Sequence, residues 1–230
     1  MYVKICGIRR QEDALIAAEL GADAIGLLVG QKHNSPDFVS ATVARDIARA
    51  LPPSVEAVLV THIKEIDELE RLLQQSEITT IQLHSEIAPS SVEGLRGQIP
   101  HLKIFKSVSV ISADSVAYPE AFKKLVDGFV LDSINLATNQ VGGTGKTHDW
   151  SVSRQIVMRY PDVPIILAGG LNSENVRSAI ERVRPFGVDV NSGTKAADGF
   201  KDPPKMEAFI AQAKHEQSSQ VKGREHGAEL

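Results

Sequence analysis

Three glycines, two threonines and a lysine fill the six residues Gly142-Gly143-Thr144-Gly145-Lys146-Thr147. Glycines let backbone N–H groups approach an anion closely, and Thr and Lys add donors and charge. The stretch reads as a phosphate cradle. It is not a Walker A loop, because Gln140 stands where that motif needs its first glycine. Upstream, the apolar run Gly128-Phe129-Val130-Leu131 stops at one acid, Asp132. A carboxylate at the end of such a run is partly desolvated, which raises its pKa and suits it to act as a general acid. Cys6, the only cysteine in the chain, ends another apolar run just before Gly7. A thiol there is a candidate base or nucleophile if positive potential, from Lys4 or Lys106, favours its thiolate.

These residues need elements to hold them. Short, near-continuously apolar runs occupy 2–6, 23–29, 55–61, 79–83, 102–108, 127–131, 164–168 and 186–190. Such runs are the pattern of parallel strands buried on both faces. Amphipathic stretches of helical length lie between them, as where Ile66, Leu69, Leu72 and Leu73 form one stripe. Asn172-Ser173-Glu174-Asn175 reads as a helix start before Val176. Eight strand–helix repeats in 230 residues predict an α/β fold, a single-domain (β/α)8 barrel over 1–213. The rival is a doubly wound open sheet, and no dinucleotide fingerprint supports it. Residues 214–230 are polar and aperiodic and read as a disordered tail.

In a barrel the chemistry gathers at the C-terminal ends of the strands. Those ends carry Cys6-Gly7, then Gln31, Lys32 and His33, then Thr61-His62, Gln82-Leu83-His84, Lys106, Asp132, Ala168-Gly169-Gly170 and Asn191-Ser192-Gly193. The loops after the seventh and eighth strands are the usual phosphate site. Gly169 and Gly170 precede a predicted helix N-terminus, which favours an anion. With Ser192, Gly193 and the loop containing Gly142, Gly143 and Gly145, three small-residue loops could enclose one phosphate.

The net charge of −4 gives no footprint for nucleic acid. One cysteine permits no internal disulfide, and a reducing cytoplasm fits best. The N-terminus reads as a strand rather than a signal peptide, and no run approaches a membrane span. Assembly is left as monomer or homodimer.

At this point the motifs resemble those of the phosphoribosylanthranilate isomerase family of tryptophan biosynthesis. The matching segments include Val3-Lys4-Ile5-Cys6-Gly7-Ile8, Gln82-Leu83-His84, Leu131-Asp132, the glycine-rich loop, Asp149-Trp150, Leu167-Ala168-Gly169-Gly170-Leu171 and Gly187-Val188-Asp189-Val190-Asn191-Ser192-Gly193. The resemblance implies a (β/α)8 barrel that needs no cofactor. It implies an Amadori rearrangement of a small phosphoribosyl amine to an aminodeoxyribulose phosphate. Asp132 would be the acid that opens the furanose, Cys6 the base that removes the proton from the sugar C2, and the glycine loops the phosphate holders.

The departures lie at one end of the pocket. Where the family usually has Ser-Pro-Arg after the second strand, with the Arg binding the anthranilate carboxylate, this chain has Ser35-Pro36-Asp37. An acid there is expected to repel that carboxylate. Lys32 or His33 could replace the cation, with His62, His84 and Lys106 as further substrate contacts. Alternatively the chain is a paralogue with a different aglycone. That could be an isomerase or lyase assisted by a metal on His33, His62 and His84, or a non-catalytic phosphosugar-binding barrel.

Overall fold

A computed structural model describes residues 1–30, 36–135, 140–141 and 147–225 of the chain. The expected substrate contacts Lys32 and His33 and the expected phosphate holders Gly142, Gly143 and Gly145 lie outside the described residues.

The eight apolar runs form eight parallel strands: β1 (Tyr2–Cys6), β2 (Ala24–Leu28), β3 (Glu56–Thr61), β4 (Thr80–Leu83), β5 (Lys103–Ser109), β6 (Gly128–Asp132), β7 (Ile165–Leu167) and β8 (Gly187–Val190). They close in the order β1-β8-β7-β6-β5-β4-β3-β2, so no edge strand is left unpaired. Each boundary falls within one residue of its run. The helices α1 (Gln11–Glu19), α2 (Ala41–Ala50), α3 (Ile66–Ser76), α4 (Pro89–Gln98), α5 (Trp150–Arg159), α6 (Val176–Val183) and α7 (Pro203–Glu225) follow their strands. After β5 the connection is a 3-10 helix, Ala113–Ala121, which holds Pro119. Proline lacks the N–H of a regular α-helical ladder, which suits the tighter, shorter winding. A short antiparallel pair, Ile134–Asn135 with Gln140–Val141, follows β6. No described helix is long and apolar enough to cross a membrane. The last helix continues to Glu225, into the stretch whose composition reads as a tail.

The core between sheet and helices is conventional: Ile5, Ile25, Leu59, Ile81, Phe129 and Leu167 pack outward against helix residues such as Leu69, Val92 and Ile180. The barrel interior is different. Side chains of a strand alternate between its faces, so β1 sends Tyr2, Lys4 and Cys6 inward while β4 sends Thr80 and Gln82, then His84. At the floor Tyr2 packs with Phe105, Val130 and Ile166. Above it lies a polar layer containing Lys4, Gln82, Ser107 and Asp189, all buried. The strand ends above that layer carry Cys6, His84 and Asp132.

Candidate active site

The polar layer is organised by Lys4. Its ammonium lies 2.7 Å from Asp189 Oδ2 and 3.0 Å from Gln82 Oε1. Burial pushes the Lys4 pKa down, but Asp189 and the Cys6 sulfur outweigh that and hold it above the ordinary lysine value. A buried charge needs such a partner, since an isolated one would shed its proton.

Cys6 stands one inward position above Lys4. Burial pushes its thiol up to about 11. The Lys4 charge opposes the shift, Asp189 adds to it and Lys201 opposes it more weakly. Positive potential thus reaches the sulfur from Lys4 and Lys201. Gly26 makes room for it: a Cβ at that position would lie 2.6 Å from Cys6 Sγ. Nothing in the sequence distinguishes this mid-strand glycine from a simple packing residue.

Asp132, at the end of β6, is 8% exposed. Burial, with the negative charge of Asp189, raises its pKa to about 7. The Ser133 backbone N–H, donating to Oδ1 at 2.7 Å, and Lys4 pull the other way. Gly169, at a φ of 81°, lets the chain after β7 run beside the acid: a Cβ there would be 2.8 Å from Ser133 N and 3.1 Å from Asp132 Oδ1. His84 Nε2 lies 3.8 Å from Asp132 Oδ2. His62 meets His84 edge to face, with ring centroids 5.1 Å apart. Among the described residues no group of three or more His, Cys, Asp or Glu could hold a metal, and His33 lies outside them.

The loops after β7 and β8 touch, because Gly193 packs directly on the Leu171 carbonyl. Gly170 has a φ of 65°, and its carbonyl accepts from Asn175 Nδ2 at 2.9 Å. The helix expected to begin near Asn172 begins at Val176 instead. Asn172 and Asn175 form a reciprocal turn first: Asn172 Oδ1 accepts from the N–H groups of Glu174 and Asn175, and Asn175 Oδ1 accepts from Asn172 N. Short polar side chains compete for backbone donors in this way and delay the helix.

Two expected contacts change. Lys106 faces away from the barrel interior, because it has the opposite parity to the inward-facing Phe105 and Ser107. Its ammonium donates to the Ser107 carbonyl at 2.6 Å and lies over the rings of Tyr118 and Phe122. Burial lowers its pKa to about 8. Lys106 thus lines the wall between β5 and the 3-10 helix that follows it, and the charges that shift Cys6 most are Lys4, Asp189 and Lys201 instead. Asp37 is also not a bare anion. Lys195 Nζ reaches its two oxygens at 2.6 and 2.5 Å, and Asn191 Nδ2 donates to Oδ2 at 3.0 Å. The Asp37 charge is thus met by a cation that lies 158 residues away in sequence. Arg9 Nη1 holds the adjacent Pro36 carbonyl at 2.8 Å. Lys201 in turn donates to the carbonyl and side-chain oxygens of Asn191.

A family model described as N-(5'-phosphoribosyl)anthranilate (PRA) isomerase matches residues 3–212. N-(5'-phosphoribosyl)anthranilate isomerase 2 of Methanosarcina mazei is 46% identical over 94% of this chain and 95% of its own length. The isomerase of Methanopyrus kandleri is 39% identical over 92% and 98%. Among solved structures, phosphoribosyl anthranilate isomerase from Thermotoga maritima superposes with a TM-score of 0.80 at 35% identity, covering 94% of this chain and 99% of that one. Another structure of the enzyme, in complex with reduced 1-(o-carboxyphenylamino)-1-deoxyribulose 5-phosphate, gives a TM-score of 0.77 at 33% identity, with the same coverage. A buried acid and thiol at the ends of barrel strands, a match that spans the barrel and relatives of nearly equal length agree: this chain belongs to the N-(5'-phosphoribosyl)anthranilate isomerase family.

Proposed function

We propose that the chain isomerises N-(5'-phosphoribosyl)anthranilate by acid–base catalysis with Asp132 and Cys6. The observation that carries this reading is a carboxyl with a pKa of about 7 sharing one barrel mouth with the chain's single thiol. Protonated Asp132 gives its proton to the furanose ring oxygen. The C1–O bond breaks, and the nitrogen lone pair forms the C1=N bond of the open imine. The thiolate of Cys6 then takes the proton from C2, and that electron pair gives the enolamine. Protonation at C1 and loss of the proton from the C2 hydroxyl leave the 2-ketone. No electron enters or leaves, so the chemistry needs acid, base and position only.

The backbone around Gly169, Gly170, Ser192 and Gly193 holds the phosphate in this reading, with Gly142, Gly143 and Gly145 completing the cradle. His62 and His84 line the mouth on the side of the aglycone. The substrate is a small phosphosugar amine and the role is biosynthetic, with action in the cytoplasm as part of the proposal. Purified chain supplied with phosphoribosylanthranilate is expected to consume it and form 1-(o-carboxyphenylamino)-1-deoxyribulose 5-phosphate. Absence of that product, with the fold intact, would overturn the assignment.

A further inference from the structure

The hydrogen-bond chain below His84 determines which ring nitrogen carries its proton. An ammonium can only donate, so Lys4 Nζ at 3.0 Å fixes Gln82 Oε1 as the acceptor end of the amide. The other end, Gln82 Nε2, therefore points toward Ser107 Oγ at 3.0 Å and His84 Nδ1 at 3.3 Å. An amide nitrogen has no lone pair available to accept, so Nδ1 must present its own. Ser107 Oγ receives the amide hydrogen and lies 2.7 Å from Nδ1; no other acceptor meets its hydroxyl among the described residues, so its own hydrogen goes to Nδ1. A bare Nδ1 gives both donors an acceptor, and the ring hydrogen then sits on Nε2. That nitrogen is the one facing Asp132 Oδ2.

We infer that His84 is a positioning residue whose tautomer is locked through Lys4, Gln82 and Ser107, so that it always turns an N–H, never a lone pair, toward Asp132. The consequence is chemical. Asp132 Oδ1 already accepts from the Ser133 N–H, and Oδ2 faces the Nε2–H. Neither neighbour can accept the acid's proton, so His84 and the Ser133 N–H do not draw it away from Asp132. The opposite tautomer would offer Asp132 a base, and a proton shared with the imidazole would no longer be wholly available to the substrate. Once the proton has gone, the Nε2–H can close on the new carboxylate, as catalytic hydrogen bonds tighten during turnover. Among the described residues, the other charged or titratable groups that act on this pair include Asp189 from β8, Lys4 from β1 and His62 from the end of β3.

The inference rests on Asp132 acting as the acid, and its test is separable from that reading. In the full chain labelled with 15N-histidine, the His84 signals are identified by their loss in His84→Asn. Near neutral pH, Nε2 is expected to appear as the protonated, pyrrole-type nitrogen and Nδ1 as the pyridine-type one. Ser107→Ala, which removes the shorter donor, is expected to lower kcat about 10-fold with a smaller change in KM, and Ser107→Thr to restore it. A pyrrole-type Nδ1 in the native protein would overturn the inference whatever the variants do, and so would an unchanged kcat in Ser107→Ala. Retained activity in Asp132→Asn would instead sink the reading on which the inference stands.

Discussion

The two reacting side chains are tuned in an unusual order. Burial places the Cys6 thiol at about 11 and the Asp132 carboxyl at about 7. The base is therefore weakly ionised and the acid readily ionised. The productive combination, protonated Asp132 with ionised Cys6, is a constant minor form of about one part in ten thousand between about pH 7 and about pH 11. Accordingly kcat/KM of the free enzyme is expected to rise with pH up to about 7 and then level off, rather than fall above neutrality. Because Cys6 is the only cysteine, the pH dependence of alkylation reads it alone. The rate is expected to climb through about pH 11, and a midpoint near the ordinary thiol value of about 8.5 would contradict this tuning. Asp132 also links stability to pH. Its folded pKa is raised, so the native state binds more protons than the unfolded one between about pH 4 and about pH 7, and stability falls across that window. Asp132→Asn removes that loss. In denaturant titrations it is expected to gain up to about 4 kcal/mol relative to the native chain at pH 8, and nothing below pH 4.

At the scale of elements, the loops after β2 and β8 are tied by Lys195 and Asp37, with Asn191 between them and Lys201 behind. Asp37→Arg would set a guanidinium against Lys195 and leave both charges without a counter-ion. It is expected to cost about 3 kcal/mol, as breaking buried pairs does. Combining Asp37→Lys with Lys195→Asp should recover most of what either change loses alone, and a double-mutant cycle measures this coupling. Additive losses would show that the tie is incidental. This pair also marks the limit of what the sequence shows. The apolar runs place every barrel strand, because burial on both faces leaves a local signature. Asp37 beside Ser35-Pro36 shows only a missing cation, because its partner comes from the far end of the chain. Lys106 was legible in principle: counting parity from the inward Ser107 turns it out of the barrel, whereas its place near a strand end suggested the mouth. The turn of Asn172 and Asn175 was hidden by the same polar residues that signal a helix start.

For the whole molecule, the closed barrel separates two tasks. Helix-facing residues of each strand supply the apolar core, while the interior changes from an aromatic floor through the Lys4–Asp189 layer to the reactive rim. The middle layer is costly to bury, yet it orients Gln82, counters Cys6 and biases Asp132 at once. Lys4→Met is therefore expected to damage more than the charge balance. Asp189 would be left buried and unpaired, with a stability loss of about 3–5 kcal/mol visible as an earlier unfolding midpoint. Retention of the native midpoint would mean that the pair is not part of the scaffold.

The most direct test is turnover of phosphoribosylanthranilate by the native chain, Cys6→Ala and Asp132→Asn, each first shown to be folded by circular dichroism. The native chain should form the aminodeoxyribulose phosphate, and each variant should lose at least about 100-fold in kcat, the lower range for removing a positioned acid or base. Near-native turnover in either variant would contradict the assignment of Asp132 and Cys6 as the acid and base.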